Sequence, residues 1–152
     1  MFVLLPPSET KAPGGNGPAL DLQTLAFPEL AALREQVLTV LVNVCADLPA
    51  ARLALGVAAS KDSDIAATAR LRTAPTMPAM ARYTGVLYEA LDIGSLPRSA
   101  RIRAADRLLI TSALFGVLAG GDSARPTGCR PHQPCPDWVD WPHSGARSWL
   151  PR

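Results

Sequence analysis

Leu108-Leu-Ile-Thr-Ser-Ala-Leu-Phe-Gly-Val-Leu118 is the stretch on which the reading of this chain turns. Arg107–Ser112 has the aliphatic and β-branched character of a strand, and the small residues that follow read as the entry to a helix. A second apolar run, Phe2–Leu5, stops at Pro6-Pro7, where the ladder loses its donors. It reads as a buried N-terminal strand ending at Leu5, well placed to pair beside Arg107–Ser112. Between the two lie about a hundred residues with helical signals, so the class is α/β, a mixed α+β fold. Most of it should be helical, with one or two short strands.

After Leu118 the character of the chain changes. Residues 119–152 hold all three tryptophans, both histidines and two of the three cysteines, with almost no aliphatic residues. We divide the chain accordingly into 1–118 and an anomalous, disordered tail at 119–152. A domain left without its remaining strands would expose sheet edges and core surface.

Within the first part, Phe27-Pro-Glu-Leu opens the clearest helix, with Pro28 at the tolerated first position and Glu29 at the positive end of the dipole. Leu30, Leu33, Val37, Val40, Leu41 and Val44 repeat at helical spacing, and Leu38, Val42 and Cys45 widen the stripe, predicting burial nearly all round its second half. Cys45 is read as a core residue. Short helices follow over Pro49–Leu55 (closed by Gly56), from a Ser60 cap to about Leu71, over Pro75–Tyr83 and over Val86–Leu91. Pro97–Arg107 reads as a basic amphipathic helix.

Composition limits the function classes. Net charge is +2, and residues before 119 carry 11 Lys and Arg against 10 Asp and Glu, a balance that neither demands nor excludes a polyanion. Val37–Ala46 and Leu108–Leu118 are too short to span a membrane, and Met1-Phe-Val-Leu-Leu-Pro-Pro has no signal-peptide organisation. Three cysteines give no disulfide framework, so a cytoplasmic protein is expected.

Two segments carry candidate chemistry. In Leu4-Leu-Pro-Pro-Ser-Glu-Thr-Lys-Ala-Pro13 a strand ends in a short polar loop, a common place for ligand contacts. Ser8 and Thr10 can donate and accept, Glu9 can accept or transfer a proton, and Lys11 can neutralise an anion. A turn in which Ser8 or Thr10 satisfies local backbone groups is the competing reading. The second segment is Tyr83-Thr-Gly-Val-Leu-Tyr-Glu-Ala-Leu-Asp92, where Thr84 and Gly85 make a tight helix entry. Tyr83 and Tyr88 serve there either as ligand contacts or as core residues with bonded hydroxyls.

These two segments and Leu109-Ile-Thr-Ser-Ala-Leu-Phe-Gly-Val-Leu118, in this order, resemble the YaaA peroxide-stress family. Pro13-Gly-Gly and Leu71-Arg-Thr-Ala-Pro-Thr76 resemble its actinobacterial branch. The resemblance covers residues 1–118 and implies a cytosolic protein of oxidative-stress protection that binds DNA and limits free iron. It also implies a fold with a helix-hairpin-helix-like element. Family members continue after Gly-Val-Leu with an Arg-Pro-x-Asp…Tyr-Arg-Leu segment, where this chain has Ala119-Gly-Gly-Asp-Ser-Ala-Arg-Pro-Thr-Gly128. The expectation is the N-terminal part of a YaaA-like domain, C-terminally truncated or frameshifted, and as such a product without function is an alternative.

Double-stranded DNA is the partner that these residues can serve. Leu53-Ala-Leu-Gly-Val-Ala-Ala-Ser60 joins two helices through Gly56, a turn able to hold a phosphate with Ser60 and Lys61 beside it. Arg98, Arg101, Arg103 and Arg107 give the later helix a basic face. The competing readings are a plain helix turn and a solvated arginine face. A small-molecule binder or enzyme using Ser8–Lys11 is the functional alternative. No nucleophile–base pair can be assigned, and neither a catalytic residue nor a cofactor is expected. Cys129, His132, Cys135 and His143 match no common closed zinc module and are not read as a metal site. A GC-rich gene translated in another frame yields the same mixture of residues.

Overall fold

A computed structural model of the protein describes residues 1–8 and 10–125. Three strands form its main sheet: β1 (Val3–Leu5), β3 (Leu108–Ser112) and β4 (Gly116–Ala119), in the order β1-β3-β4. β1 runs parallel to β3 with Val3 opposite Leu108 and Leu5 opposite Ile110, the pairing expected from the two apolar runs. β3 and β4 are antiparallel, with Ile110 opposite Leu118.

The helices lie between β1 and β3 in the chain. A 3-10 turn at Pro28–Leu30 leads into α1 (Ala31–Cys45), followed by α2 (Leu48–Leu55) and α3 (Asp62–Ala69). Asp47 caps α2 by accepting from the Ala50 N–H at 3.3 Å, and Gly56 closes it in the left-handed region. α1 packs on both α2 and α3. Then come β2 (Met77–Pro78), α4 (Ala79–Arg82), α5 (Val86–Leu91) and α6 (Arg98–Arg107). β2 pairs antiparallel with β5 (Ser123–Ala124) in a separate two-residue ladder. The core joins Val37, Leu38, Leu41 and Cys45 of α1 to Ile65, Leu71, Tyr83, Ile110, Phe115 and Leu118.

Several expectations are corrected. Leu109–Leu118 is a hairpin and does not enter a helix. Gly116 at φ 71° ends the three-residue connection Ala113–Phe115, and Ser112 Oγ accepts from the Phe115 N–H at 3.3 Å. Pro75–Tyr83 is not one helix: Met77 and Pro78 pair with β5, and only the single turn α4 follows. Proline disfavours helical geometry in the residue before it, and the Ala79 and Met80 N–H groups bond the carbonyls of Asp122 and Gly120. Ser60 caps nothing; it sits inside a 3-10 turn at Ala59–Lys61, and α3 starts at Asp62. β1 ends at Leu5 as expected but is an edge strand among the described residues, with Val3 42% and Leu4 61% exposed.

The expected boundary at Leu118 falls inside β4. Ordered packing continues through Arg125, because the Gly120 N–H bonds Leu108 C=O, the Gly121 N–H bonds Ala105 C=O, and β5 pairs with β2. Cys129, His132, Cys135 and His143, not read as a metal site, lie with all of residues 126–152 outside the described residues.

α1 also departs from its predicted stripe. Its buried residues are Ala31, Arg34, Val37, Leu38, Leu41 and Cys45, while Val42 and Val44 are only partly covered. Arg34 is 2% exposed and donates to four backbone carbonyls: Phe115 and Ala26 at 2.9 Å, Val117 at 2.8 Å and Phe27 at 3.2 Å. Asp122 completes the corner by accepting from the Ala26 and Ala119 N–H groups. Truncating Arg34 would strand those buried carbonyls. Arg34→Met is expected to cost about 3 kcal/mol, read as a lower urea midpoint at unchanged slope. Arg101→Met, on the exposed face of α6, should leave the midpoint within error.

Candidate functional site

The loop after β1 and the segment at the start of α5 meet in the fold. Lys11 and Tyr83 form an isolated antiparallel bridge, and the Thr84 N–H donates to Thr10 C=O at 3.1 Å. Ser8 Oγ donates to Thr84 C=O and lies 3.4 Å from the Thr10 hydroxyl. The Lys11 ammonium donates to Ser8 C=O at 2.9 Å and stands 5.6 Å from the centre of the Tyr83 ring. Tyr83 and Tyr88 stack with centroids 5.8 Å apart. Thus Ser8, Thr10, Lys11, Tyr83, Thr84, Gly85 and Tyr88 form one cluster; Glu9 lies outside the described residues.

The chemistry of that cluster is largely inward. The Thr10 N–H donates to Ser8 Oγ at 3.2 Å, the local turn bond expected of a structural loop. The Tyr88 hydroxyl donates to Pro6 C=O at 2.6 Å, and the Tyr83 hydroxyl shares a hydrogen bond with Ser112. Burial raises the pKa of both tyrosines, Tyr88 to about 12, so neither supplies a phenolate near neutral pH. Gly85 has φ 102°, and a Cβ there would stand 3.1 Å from Ser8 Oγ and 3.2 Å from Thr10 Oγ1. Its bare Cα is what lets the two segments close on each other.

The residues assigned to nucleic acid occupy two other places. Gly56, Ser60 and the Ala58–Ala59 backbone form an exposed apex between α2 and α3. The cation expected there is neutralised, since Lys61 pairs with Asp64 at 3.2 Å and Arg52 pairs with Asp62. On α6, Arg98, Arg101, Arg103 and Arg107 are all exposed, and none forms an ion pair among the described residues. At about 100° per residue the four divide into Arg98 with Arg101 and Arg103 with Arg107, on different sides of the helix. The single basic face expected from the sequence is two arginine pairs.

A cleft of about 330 Å³ lined by Leu20, Asp21, Gln23, Glu35, Leu38 and Arg72 shares no residue with either place. Among the described residues no three His, Cys, Asp or Glu side chains gather as a metal site, and no helix is long and apolar enough to cross a membrane. Cys45, the one cysteine described, is 2% exposed, and burial pushes its thiol pKa up. No pattern in the sequence marks the three buried arginines, Arg34, Arg82 and Arg125. Arginine reads as a surface residue unless the carbonyls that it serves are known.

Comparison with known proteins bears on the whole of this region. The family model described as peroxide stress protein YaaA matches residues 1–126. A UPF0246 protein of Corynebacterium efficiens is 48% identical over 124 residues, covering 80% of this chain and 47% of that protein. One from Streptomyces coelicolor is 47% identical over 119 residues, 78% of this chain and 46% of its own. One from Corynebacterium glutamicum is 43% identical over 122 residues, 80% of this chain and 47% of its own. The chain spans about half the length of the curated relatives it matches.

Gly85→Ala should destabilise the protein by roughly 1–3 kcal/mol in thermal melts, through positive φ and contact with Ser8 and Thr10. Gly94→Ala, with its nearest neighbour at 3.8 Å, should be near neutral. Cys45 should resist iodoacetamide and hydrogen peroxide in the folded protein and react once urea unfolds it. Peptide mass spectrometry reads this, and equal labelling rates in both states would contradict the buried assignment.

Proposed function

The chain belongs to the YaaA peroxide-stress family, and from that premise we propose that it protects against oxidative damage by binding double-stranded DNA. The observation that supports this is α6, where four exposed guanidiniums stand without carboxylate partners among the described residues. Arginines in that state release counterions when they meet phosphates, which favours a backbone-directed, salt-sensitive contact. The α2–α3 apex adds backbone N–H groups and Ser60 beside them. Its charge is balanced by Asp62 and Asp64, so α6 carries the electrostatic part. Family membership alone is the ground for proposing a cytosolic location and a role in limiting free iron.

A second reading is a small-molecule binder or enzyme, supported by the convergence of Ser8, Thr10 and Lys11 on Tyr83 and Thr84. The hydroxyls there are engaged with backbone groups, and DNA binding is the reading that the free charges favour.

Fluorescence-anisotropy titration with a labelled duplex at low and moderate salt tests the proposal. Affinity should fall as salt rises, and each arginine pair changed to alanine should lower the log–log salt slope by about 2. No salt-dependent binding, or an unchanged slope in Arg98→Ala/Arg101→Ala and in Arg103→Ala/Arg107→Ala, would sink it.

A further inference from the structure

Two arginines are buried side by side where the loop over residues 12–17, the turn after α3 and β5 meet. Arg82 is 0% and Arg125 1% exposed. Arg82 spends its donors on carbonyls: Gly14 at 2.8 Å, Ala124 at 3.4 Å and Ala12. Arg125 donates through Nη1 to Arg70 C=O at 3.0 Å, while its Nε and Nη2 are buried without an acceptor among the described residues. Neither guanidinium has a carboxylate partner among the described residues. Each feels the low-polarity surroundings, and Arg82 further disfavours the charge on Arg125.

Such an arrangement is unfavourable as it stands. A guanidinium stays charged in proteins, so it cannot relieve burial by losing its proton. Three N–H donors on Nε and Nη2 are left without acceptors among the described residues, and two like charges adjoin in a region that screens them weakly. One small anion corrects both defects. A planar or tetrahedral oxyanion accepts from Nε and Nη2 as a bidentate pair and reverses the sign of the Arg82–Arg125 interaction.

We propose that Arg125, with Arg82 behind it, is a buried receptor for one oxyanion of the carboxylate or phosphate class. The site is separate from α6, and the proposal does not depend on DNA binding. Arg125 supplies the paired N–H groups, Arg82 supplies charge, and the Arg70 carbonyl fixes the Arg125 fork from its far side. No residue of the Ser8–Tyr88 cluster takes part.

The test is thermal unfolding of the full chain titrated with sodium phosphate, and separately with sodium acetate, at constant ionic strength. The melting temperature should climb with ligand and, once the site is saturated, gain roughly 3–6 °C per tenfold increase. A response to phosphate alone assigns a phosphate site, and a response to acetate assigns the carboxylate class. Arg125→Met should abolish the response, whereas Arg98→Met/Arg101→Met on α6 should keep it. Should Arg125→Met not fold, equilibrium dialysis of the unaltered chain against labelled phosphate and labelled acetate decides the matter, one saturable site being required. The proposal is overturned by a flat response to both anions, by an unchanged response in Arg125→Met, by its loss in the α6 variant, or by dialysis without saturation.

Discussion

The Arg34 guanidinium is the contact through which the two parts of the fold hold together. Its donors reach Ala26 and Phe27 at the entry to α1 and Phe115 and Val117 at the β3–β4 hairpin. Backbone carbonyls at a hairpin turn and a helix entry lie outside regular ladders, yet here they are buried and must find donors. An apolar residue at position 34 would fill the space and leave all four unanswered. A planar cation with several N–H groups answers them together. Asp122 serves the donors of the same corner and places the β4–β5 turn against the chain before α1. The sheet that receives β1 is thereby fixed to the helices that cover it.

Much of the backbone was legible in the sequence. Phe2–Leu5 and Leu108–Ser112 pair as their composition suggested, and Gly56 ends α2 where a left-handed residue was needed. The hairpin at Ala113–Phe115 was hidden because Leu114 and Phe115 are core plugs, and a short apolar run has no period that separates strand from helix. β2 escaped because two residues become a strand only when Ser123 and Ala124 arrive from elsewhere. The extension to Arg125 escaped for a similar reason. Gly120 and Gly121 look like loop, and only their bonds to Leu108 and Ala105 make them part of the packed domain.

The candidate sites divide differently. Sequence order alone suggested that Ser8–Lys11 and Tyr83–Tyr88 belong together, and the Lys11–Tyr83 bridge brings them together. What spacing could not reveal is how completely Ser8, Thr10 and Tyr88 are occupied by neighbouring backbone. Charge was harder still. Lys61 looks available in the sequence, but Asp64 lies one helical turn on and takes it. α6 looks like one basic face until its four arginines are placed at helical angles. Arg82 and Arg125, hidden among alanines, give no outward sign of being the most buried cations in the domain.

The open edge of β1 has a consequence for how this protein comes into being. β1 is made about a hundred residues before its partner β3, so on the ribosome it waits roughly 5–20 s unpaired. During that interval Met1, Phe2, Val3 and Leu4 form a bare apolar tether that no local contact can hide. The helices from α1 to α5 can form as they emerge, but closing so long a loop must precede any reward from the sheet. The delay between the synthesis of β1 and of β3 is therefore the interval in which this strand is open to chaperones and to other chains, since it is secured long after it is made.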